Sequence, residues 1–306
     1  MTLVKNCKIS YIISTRNRLP FLKILEKHIF SRLNADEELI VIDGDSSDGS
    51  KEYLQDLYDK GIIHQFISEP DINQAHGWNK ALLMAKGEIV KKIIDDDVHD
   101  LTAIRKCADY MLSNPKVELL ISNCLNSWIA SPDNLQSVGN LNRFFQYKEG
   151  KIHCFPFSDV YLLIRRSTLS KFGLFDTQYH MMDWEYSLRC TYLKACIAYY
   201  TGYNSLAVST PGNVTSTTAK SIKKREGLIG KVKYGYPGDR FDISLYSEFK
   251  IFIGKSLKLI KNIFSKSPAL NNISMPDDER LMEIYDKFYE CIKEKNQAGD
   301  FKYYIS

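Results

Sequence analysis

Ile89-Val90-Lys91-Lys92-Ile93-Ile94-Asp95-Asp96-Asp97 is a short β-branched run that drives straight into three carboxylates. Its length and its bounding Gly87 favour a strand over residues 89–94 rather than a helix. Upstream, Trp78, Leu82 and Ala85 fall at helical spacing and stop at Lys86-Gly87. Residues 62–67 read as another strand. Tyr53, Leu54, Leu57 and Tyr58 mark one face of a helix over 50–60 that ends at Gly61. Residues 39–42 and 9–14 are buried-strand patterns, separated by a helix that carries Phe21, Leu22, Leu25 and Ile29. Strands alternating with helices predict an α/β fold, a mostly parallel sheet with helices on both faces. Ligands in such sheets bind outside the carboxyl ends of the strands. Three polar clusters are expected there: Thr15-Arg16-Asn17-Arg18, residues 43–50, and Asp95 to Asp97.

Downstream, a helix over 101–111 is stopped by Pro115, and residues 117–122 read as a strand. Residues 127–150, with Pro, Gly and many Asn and Ser, read as a loop-rich excursion. Residues 159–164 read as a strand, and Asp183 opens a helix. After about Pro211 the pattern turns wholly helical and basic.

The chain has 306 residues, 44% apolar and 25% charged, enough for one large domain with an appended segment. Residues 1–6 lack a basic-then-apolar signal pattern, and no run reaches the roughly 20 apolar residues of a membrane span. The expected location is cytoplasmic. Seven scattered cysteines without a CxxC pair fit reduced thiols and give no zinc site. The net charge of +4 is concentrated: residues 220–266 hold twelve Lys/Arg against four Asp/Glu. A near-neutral body with a basic patch suits an anionic partner such as a lipid pyrophosphate or a membrane surface. No nucleic-acid module is recognisable, so no nucleic-acid partner is expected. Residues 244–267 space Phe249, Phe252, Ile253, Leu257, Ile260, Ile263 and Phe264 as an amphipathic basic helix. It would make peripheral contact with the inner membrane face, or pack on the protein.

Three adjacent carboxylates repel one another strongly if dry. A divalent cation would relieve them, and oxygen ligands suit Mg²⁺ or Mn²⁺. Such an ion would bridge to a diphosphate; the alternative is a solvated acidic turn with Asp100 as a helix cap. Asp43 ends a strand before a Gly/Ser turn and could accept hydrogen bonds from a base N–H or a ribose hydroxyl. Asp48 is placed to cap the next helix.

In order and spacing these motifs resemble family 2 glycosyltransferases, the inverting group with the GT-A fold. Their strand, Thr-x-Asn-Arg, helix opening is similar to Ser14-Thr15-Arg16-Asn17-Arg18. Their Asp-Gly-Ser-Thr-Asp-Gly turn is similar to the stretch from Asp43 to Ser50. Ser68-Glu69-Pro70-Asp71, Asn79-Lys80-Ala81 and Ala85-Lys86-Gly87-Glu88 match a subgroup, and Met182-Asp183-Trp184-Glu185 resembles the later acidic motif. The resemblance covers roughly residues 8–226. It implies a GT-A catalytic domain over 1–219 and a basic, mainly helical segment over 220–306. It also implies a metal held by Asp95, Asp96 and Asp97, and Asp183 as catalytic base. Donor contacts are implied at Thr15, Asn17, Arg18, Asp43, Asp45, Asn79, Lys80, Asp95 and Asp96. The implied substrates are a nucleotide-sugar, UDP-linked by analogy, and a glycan or lipid-linked acceptor, in surface polysaccharide synthesis. Gly212-Asn213-Val214-Thr215-Ser216, followed by Arg225-Glu226, resembles a loop that closes over the diphosphate.

Three positions depart from the pattern. The first acidic position after the fourth strand is Ile94, which leaves open which of Asp95, Asp96 and Asp97 ligate the metal. The acidic residue before the base is Met182. Lys91 and Lys92 interrupt a strand that is normally apolar. Two rival readings stay open: a nucleotidyltransferase that makes the nucleotide-sugar, and a non-catalytic glycan-binding module. A dinucleotide site is excluded, because the first turn has no glycine.

Overall fold

β1 (Ile9–Thr15) lies inside the sheet and is buried along almost its whole length. Its alternate side chains feed two cores: Ile9, Tyr11 and Ile13 face one, Ile12 the other. The computed structural model describes residues 7–211, 218–236 and 275–306. In chain order, β1 is followed by α1 (Leu19–His28), β2 (Glu37–Asp43), α2 (Ser50–Asp59), β3 (Gln65–Ser68), α3 (Gln74–Met84) and β4 (Ile89–Lys92). Then come β5 (Val98–His99), α4 (Leu101–Ser113), β6 (Leu119–Trp128), β7 (Ser131–Val138), α5 (Leu141–Lys148) and β8 (Leu163–Arg165). The remainder is α6 (Leu169–Phe172), α7 (Met182–Tyr192), β9 (Ile197–Ser209), α8 (Lys220–Tyr234), α9 (Asp278–Gln297) and β10 (Tyr303–Ile305).

The sheet runs β10-β9-β6-β8-β4-β1-β2-β3, with β5 beside β9 and β7 beside β6. β3, β2, β1 and β4 are mutually parallel, as alternating strands and helices require. β8 runs antiparallel to both β4 and β6, and the parallel pair β6–β9 completes the other half. Helices cover both faces. α1, α4 and α9 bury Phe21, Leu25, Ile104, Met111, Tyr285 and Phe288 in one core. α3, α5 and α7 bury Trp78, Leu82, Phe144 and Tyr186 in the other.

Four local readings change. Residues 127–150 are not a loop: β6 turns at Ile129-Ala130 into β7, and α5 follows. β7 escapes notice because it is a mostly exposed edge strand with Pro132, Asp133 and Asn134, held by pairing rather than burial. Asp159–Tyr161 is a 3-10 turn, capped by the Ser158 hydroxyl, and only Leu163–Arg165 is strand. The third strand begins later, at Gln65. The C-terminal stretch is not wholly helical, since Tyr303 to Ile305 pair antiparallel with β9. Three residues give no readable period; stacking of Tyr303 on Tyr110 (4.0 Å) and Tyr200 (4.8 Å) supports them instead.

α9 buries Leu281, Ile284, Tyr285, Phe288, Tyr289 and Ile292, a 3.6-residue stripe, against the core. Each such side chain contributes about 1.5–3 kcal/mol when fully buried. All seven cysteines are free thiols. Among the described residues no helix is long and apolar enough to cross a membrane. The basic stretch 244–267 and the loop 212–216 lie outside the described residues.

Candidate active site

The turn after β1 is zipped to the turn after β2. Asn17 takes a left-handed conformation (φ 54°) that Asn tolerates better than most residues. Its N–H donates to Ser46 Oγ (2.8 Å), and its side-chain oxygen accepts from Ser47 N (2.8 Å). Arg18 N donates to Ser50 Oγ (3.2 Å), and Leu19 N to Asp48 Oδ2 (3.1 Å). Asp48 Oδ1 also accepts from Ser50 N (3.0 Å), so Asp48 braces both turns.

Several positions expected to touch the donor make contacts within this scaffold. Asp43 is fully buried; its carboxylate accepts from Ser46 N (3.0 Å), the Ser46 hydroxyl and Ser68 Oγ (2.7 Å). Asp45, also left-handed (φ 60°), pairs with Lys51 at the surface (3.2 Å). Lys80 bridges Glu69 (2.8 Å) and Asp71 (2.7 Å), joining two of the quoted motifs. Asn79 exchanges two hydrogen bonds with the Phe175 backbone (2.8 and 2.9 Å). Gly77 lets α3 lie against β1, for a Cβ there would come within 2.2 Å of Ser14 Oγ.

A cleft of about 460 Å³ opens beside this scaffold. Its charged lining comprises Arg18, Asp95, Asp96, Asp97, Asp159 and Asp183; Asn17, Asp43, Asp45, Asn79 and Lys80 do not line it. Thr15 lies behind the cleft, and its hydroxyl donates to Asp95 Oδ2 (2.8 Å). The three aspartates splay rather than converge. Asp96 Oδ2 accepts from Thr210 Oγ1 (2.7 Å), and Asp97 Oδ1 accepts from Val208 N (2.8 Å) on β9. Arg18 lies between the first two, Nε 3.8 Å from Asp95 and Nη2 3.7 Å from Asp96. Burial and then Asp96 push Asp95 up to about 6, against the pull of Arg18 and Thr15. Burial, then Asp96, pushes Asp97 well above the usual carboxylate range. Tyr285 of α9 donates to the Asp96 carbonyl (2.5 Å) and pins the turn from beneath.

Among the described residues, no three His, Cys, Asp or Glu side chains form a ready-made metal cage. Asp97 turns its Oδ1 to Val208 N of β9, so the three aspartates hold separate partners at the cleft. Mg²⁺, however, needs only one or two carboxylates when phosphates and waters complete its shell. Asp96 and Asp95, both at the cleft, fit that narrower requirement.

The other side of the cleft comes from distant segments. Asp183 sits in the first turn of α7, where the helix dipole favours its charge. Burial, then the charge of Asp159, nevertheless raises it to about 6, with Lys92 opposing. The Lys92 ammonium pairs with Asp159 and lies over the rings of Trp78 (4.0 Å) and Phe175 (4.7 Å). Lys91 donates to the Val160 carbonyl, and burial lowers it to about 7. Together the two lysines carry the 3-10 turn of residues 159–161 on β4. Met182 is buried in the apolar core, so the second carboxylate near Asp183 is Asp159. Sequence reasoning missed Asp159; two lysines in a buried strand signal that an acid must lie opposite. Glu226, quoted with the Arg225-Glu226 motif, accepts from His180 N and Met181 N (both 2.9 Å) and fixes the approach to α7. α8 comes this close because Gly230 leaves room for Trp184.

Glycosyl transferase family 2 matches residues 10–173, more than half of the chain. No curated protein sequence matches it. Among solved structures, S. aureus TarS superposes with a TM-score of 0.52 at 15% identity, over 72% of this chain but 39% of that one. TarS 1–349 in complex with UDP-GlcNAc gives 0.57 at 13% identity, over 96% and 92% of the two chains. The mannosyltransferase PcManGT from Pyrobaculum calidifontis, in complex with GDP-Man and Mn²⁺, gives 0.53 at 18%, over 94% and 85%. At these identities the likeness speaks for the fold alone, and the family match carries the activity. The chain therefore belongs to glycosyl transferase family 2 and is a glycosyltransferase of the GT-A fold.

Proposed function

We propose that this enzyme transfers a sugar, with inversion, from a nucleotide-sugar to a hydroxyl of a glycan or lipid-linked acceptor, in surface polysaccharide synthesis. The observation that carries this reading is that Asp95 and Asp96 share one cleft with Asp183. One wall suits a diphosphate, and the other holds a carboxylate of suitable basicity.

Arg18 is the cation facing the leaving-group side, and its planar fork suits phosphate oxygens. Asp183 accepts the proton of the attacking hydroxyl as that oxygen bonds to the anomeric carbon from the face opposite the departing diphosphate. Its raised pKa suits a base working near neutrality, because an ordinary carboxylate would be a weaker acceptor. Asp159, held by Lys92, is placed to take a hydrogen bond from the acceptor sugar and so orient it. A divalent cation, Mn²⁺ or Mg²⁺, held by Asp96 with Asp95, would neutralise charge on the departing diphosphate. A UDP-sugar is the first donor to test, since TarS 1–349 was seen with UDP-GlcNAc; GDP-Man, seen with PcManGT, is the second.

The test is a thermal-shift panel of nucleotides and nucleotide-sugars, run with Mn²⁺ and again with a chelator. The expected result is a metal-dependent rise in melting temperature for one nucleotide class, with consumption of its sugar donor. No shift and no consumption for any donor would overturn the reading.

A further inference from the structure

Arg18 touches its two aspartates differently from every other partner they have. Thr15 and Thr210 hold Asp95 and Asp96 at 2.8 and 2.7 Å, ordinary hydrogen bonds. The guanidinium stands 3.8 and 3.7 Å away, shared over both carboxylates. It therefore neutralises them without spending its bidentate fork on either. Its backbone is the opposite of loose. The left-handed Asn17 before it is pinned by Ser46 and Ser47, and its own N–H by Ser50. The side chain rests on the Phe21 ring (5.3 Å) and stays a quarter exposed to the cleft.

We propose that Arg18 is an exchangeable counter-ion: it occupies Asp95 and Asp96 until a nucleoside diphosphate draws its fork away, which frees both carboxylates for a divalent cation. Nucleotide and cation then enter as a coupled pair, and the coupling is reciprocal. This rests on the metal-dependent reading above. It goes further in assigning to one side chain opposite effects on the two ligands. Removing Arg18 takes a competing charge from the carboxylates and an anchor from the diphosphate. The cation should bind more tightly on its own, while the nucleotide should bind more weakly without metal.

The experiment compares wild type with Arg18→Met and Arg18→Lys. Mn²⁺ uptake is followed by the electron paramagnetic resonance of free Mn²⁺. UDP and GDP binding is followed by calorimetry in chelator and in saturating Mn²⁺. Arg18→Met should bind Mn²⁺ alone roughly tenfold more tightly, and its better nucleotide roughly tenfold more weakly in chelator, within the usual range of coupling. Arg18→Lys, which keeps the charge, should stay near wild type for Mn²⁺. A merely structural role would weaken both ligands together. Equal or weaker Mn²⁺ binding by Arg18→Met, at an unchanged melting temperature, overturns the proposal. If Arg18→Met does not fold, Arg18→Gln carries the same test. Absence of Mn²⁺ uptake by wild type even with UDP or GDP would instead sink the metal-dependent reading itself.

Discussion

The parallel half of the sheet and its mixed half build their shares of the cleft in opposite ways. Around β1, β2 and β4 the polar residues lie in compact motifs, and their partners come from neighbouring turns. Asn17 meets Ser46 and Ser47, Asp43 meets Ser46, and Lys80 meets Asp71. Where the mixed half and the later helices meet the β4 end of this half, the polar partners lie far apart in sequence. Lys92 meets Asp159 across 67 positions, and Tyr285 meets Asp96 across 189. The compact motifs around β1 and β2 are largely scaffold, while the cleft carboxylates Asp159 and Asp183 stand on distant segments. Motif density thus reports where the chain must be held rigid, which is a different question from where bonds are made.

The largest expected effect breaks the comparison at Asp183. Asp183→Asn keeps the size and the place in the first turn of α7 but cannot take a proton. Transfer should fall by about 10²–10⁴-fold, the usual worth of a general base, with donor affinity unchanged. Steady-state turnover alongside calorimetric donor binding checks it. Near-normal turnover would move the base elsewhere, with Asp159 the next carboxylate to try.

Next comes the pair that supports the scattered half. Lys92→Met leaves Asp159 buried without its counter-charge, at a cost of about 3–5 kcal/mol. The double variant with Asp159→Asn removes both charges and should recover most of that loss in urea unfolding, yet remain defective in transfer. Full activity of the double variant would make the pair structural only.

How much could be read from the chain alone follows the same division. β1 and β2 were legible because burial on both faces leaves uninterrupted runs such as Leu39-Ile40-Val41-Ile42, and the half-buried β3 and lysine-bearing β4 because they recur between helices. Arg18, Asp95, Asp96 and Asp183 were legible as cleft residues because each ends a strand or opens a helix at a fixed place in the fold. Asp43, Asn79 and Lys80 have protein partners in the structure: their motifs mark a contact, and the sequence does not say whether ligand or protein makes it. β7 was hidden by its exposure, β10 by its brevity, and Asp159 by lying on a turn whose only advertisement is two lysines on another strand.

A smaller effect sharpens the comparison through pH. Asp183 stands at about 6, so half of it is ionised there, and only the ionised form accepts a proton. Below pH 6 the rate at low substrate should fall by roughly tenfold per pH unit, with a plateau above. Asp159 is the nearby charge that raises Asp183, and Lys92 opposes it. Asp159→Asn removes the repulsion, leaves Lys92 in place, and should move this limb to lower pH. A limb that stays put, or moves up, would detach the two carboxylates from one another.

The smallest effect tests whether the two halves are mechanically joined. Tyr285→Phe deletes one O–H donated to the Asp96 carbonyl and leaves the ring, packed edge-on against Phe21 (5.9 Å), in place. A buried carbonyl that loses its donor costs about 1–3 kcal/mol. The melting temperature should therefore fall by a few degrees in a chain of this size. Because that carbonyl belongs to the turn that presents Asp96 to the cleft, nucleotide affinity with Mn²⁺ should fall too, while affinity in chelator should hold. A loss of stability with no change in the metal-dependent part would show that α9 supports the sheet without governing the turn. A selective loss would make a helix nearly two hundred residues away part of the grip on the donor.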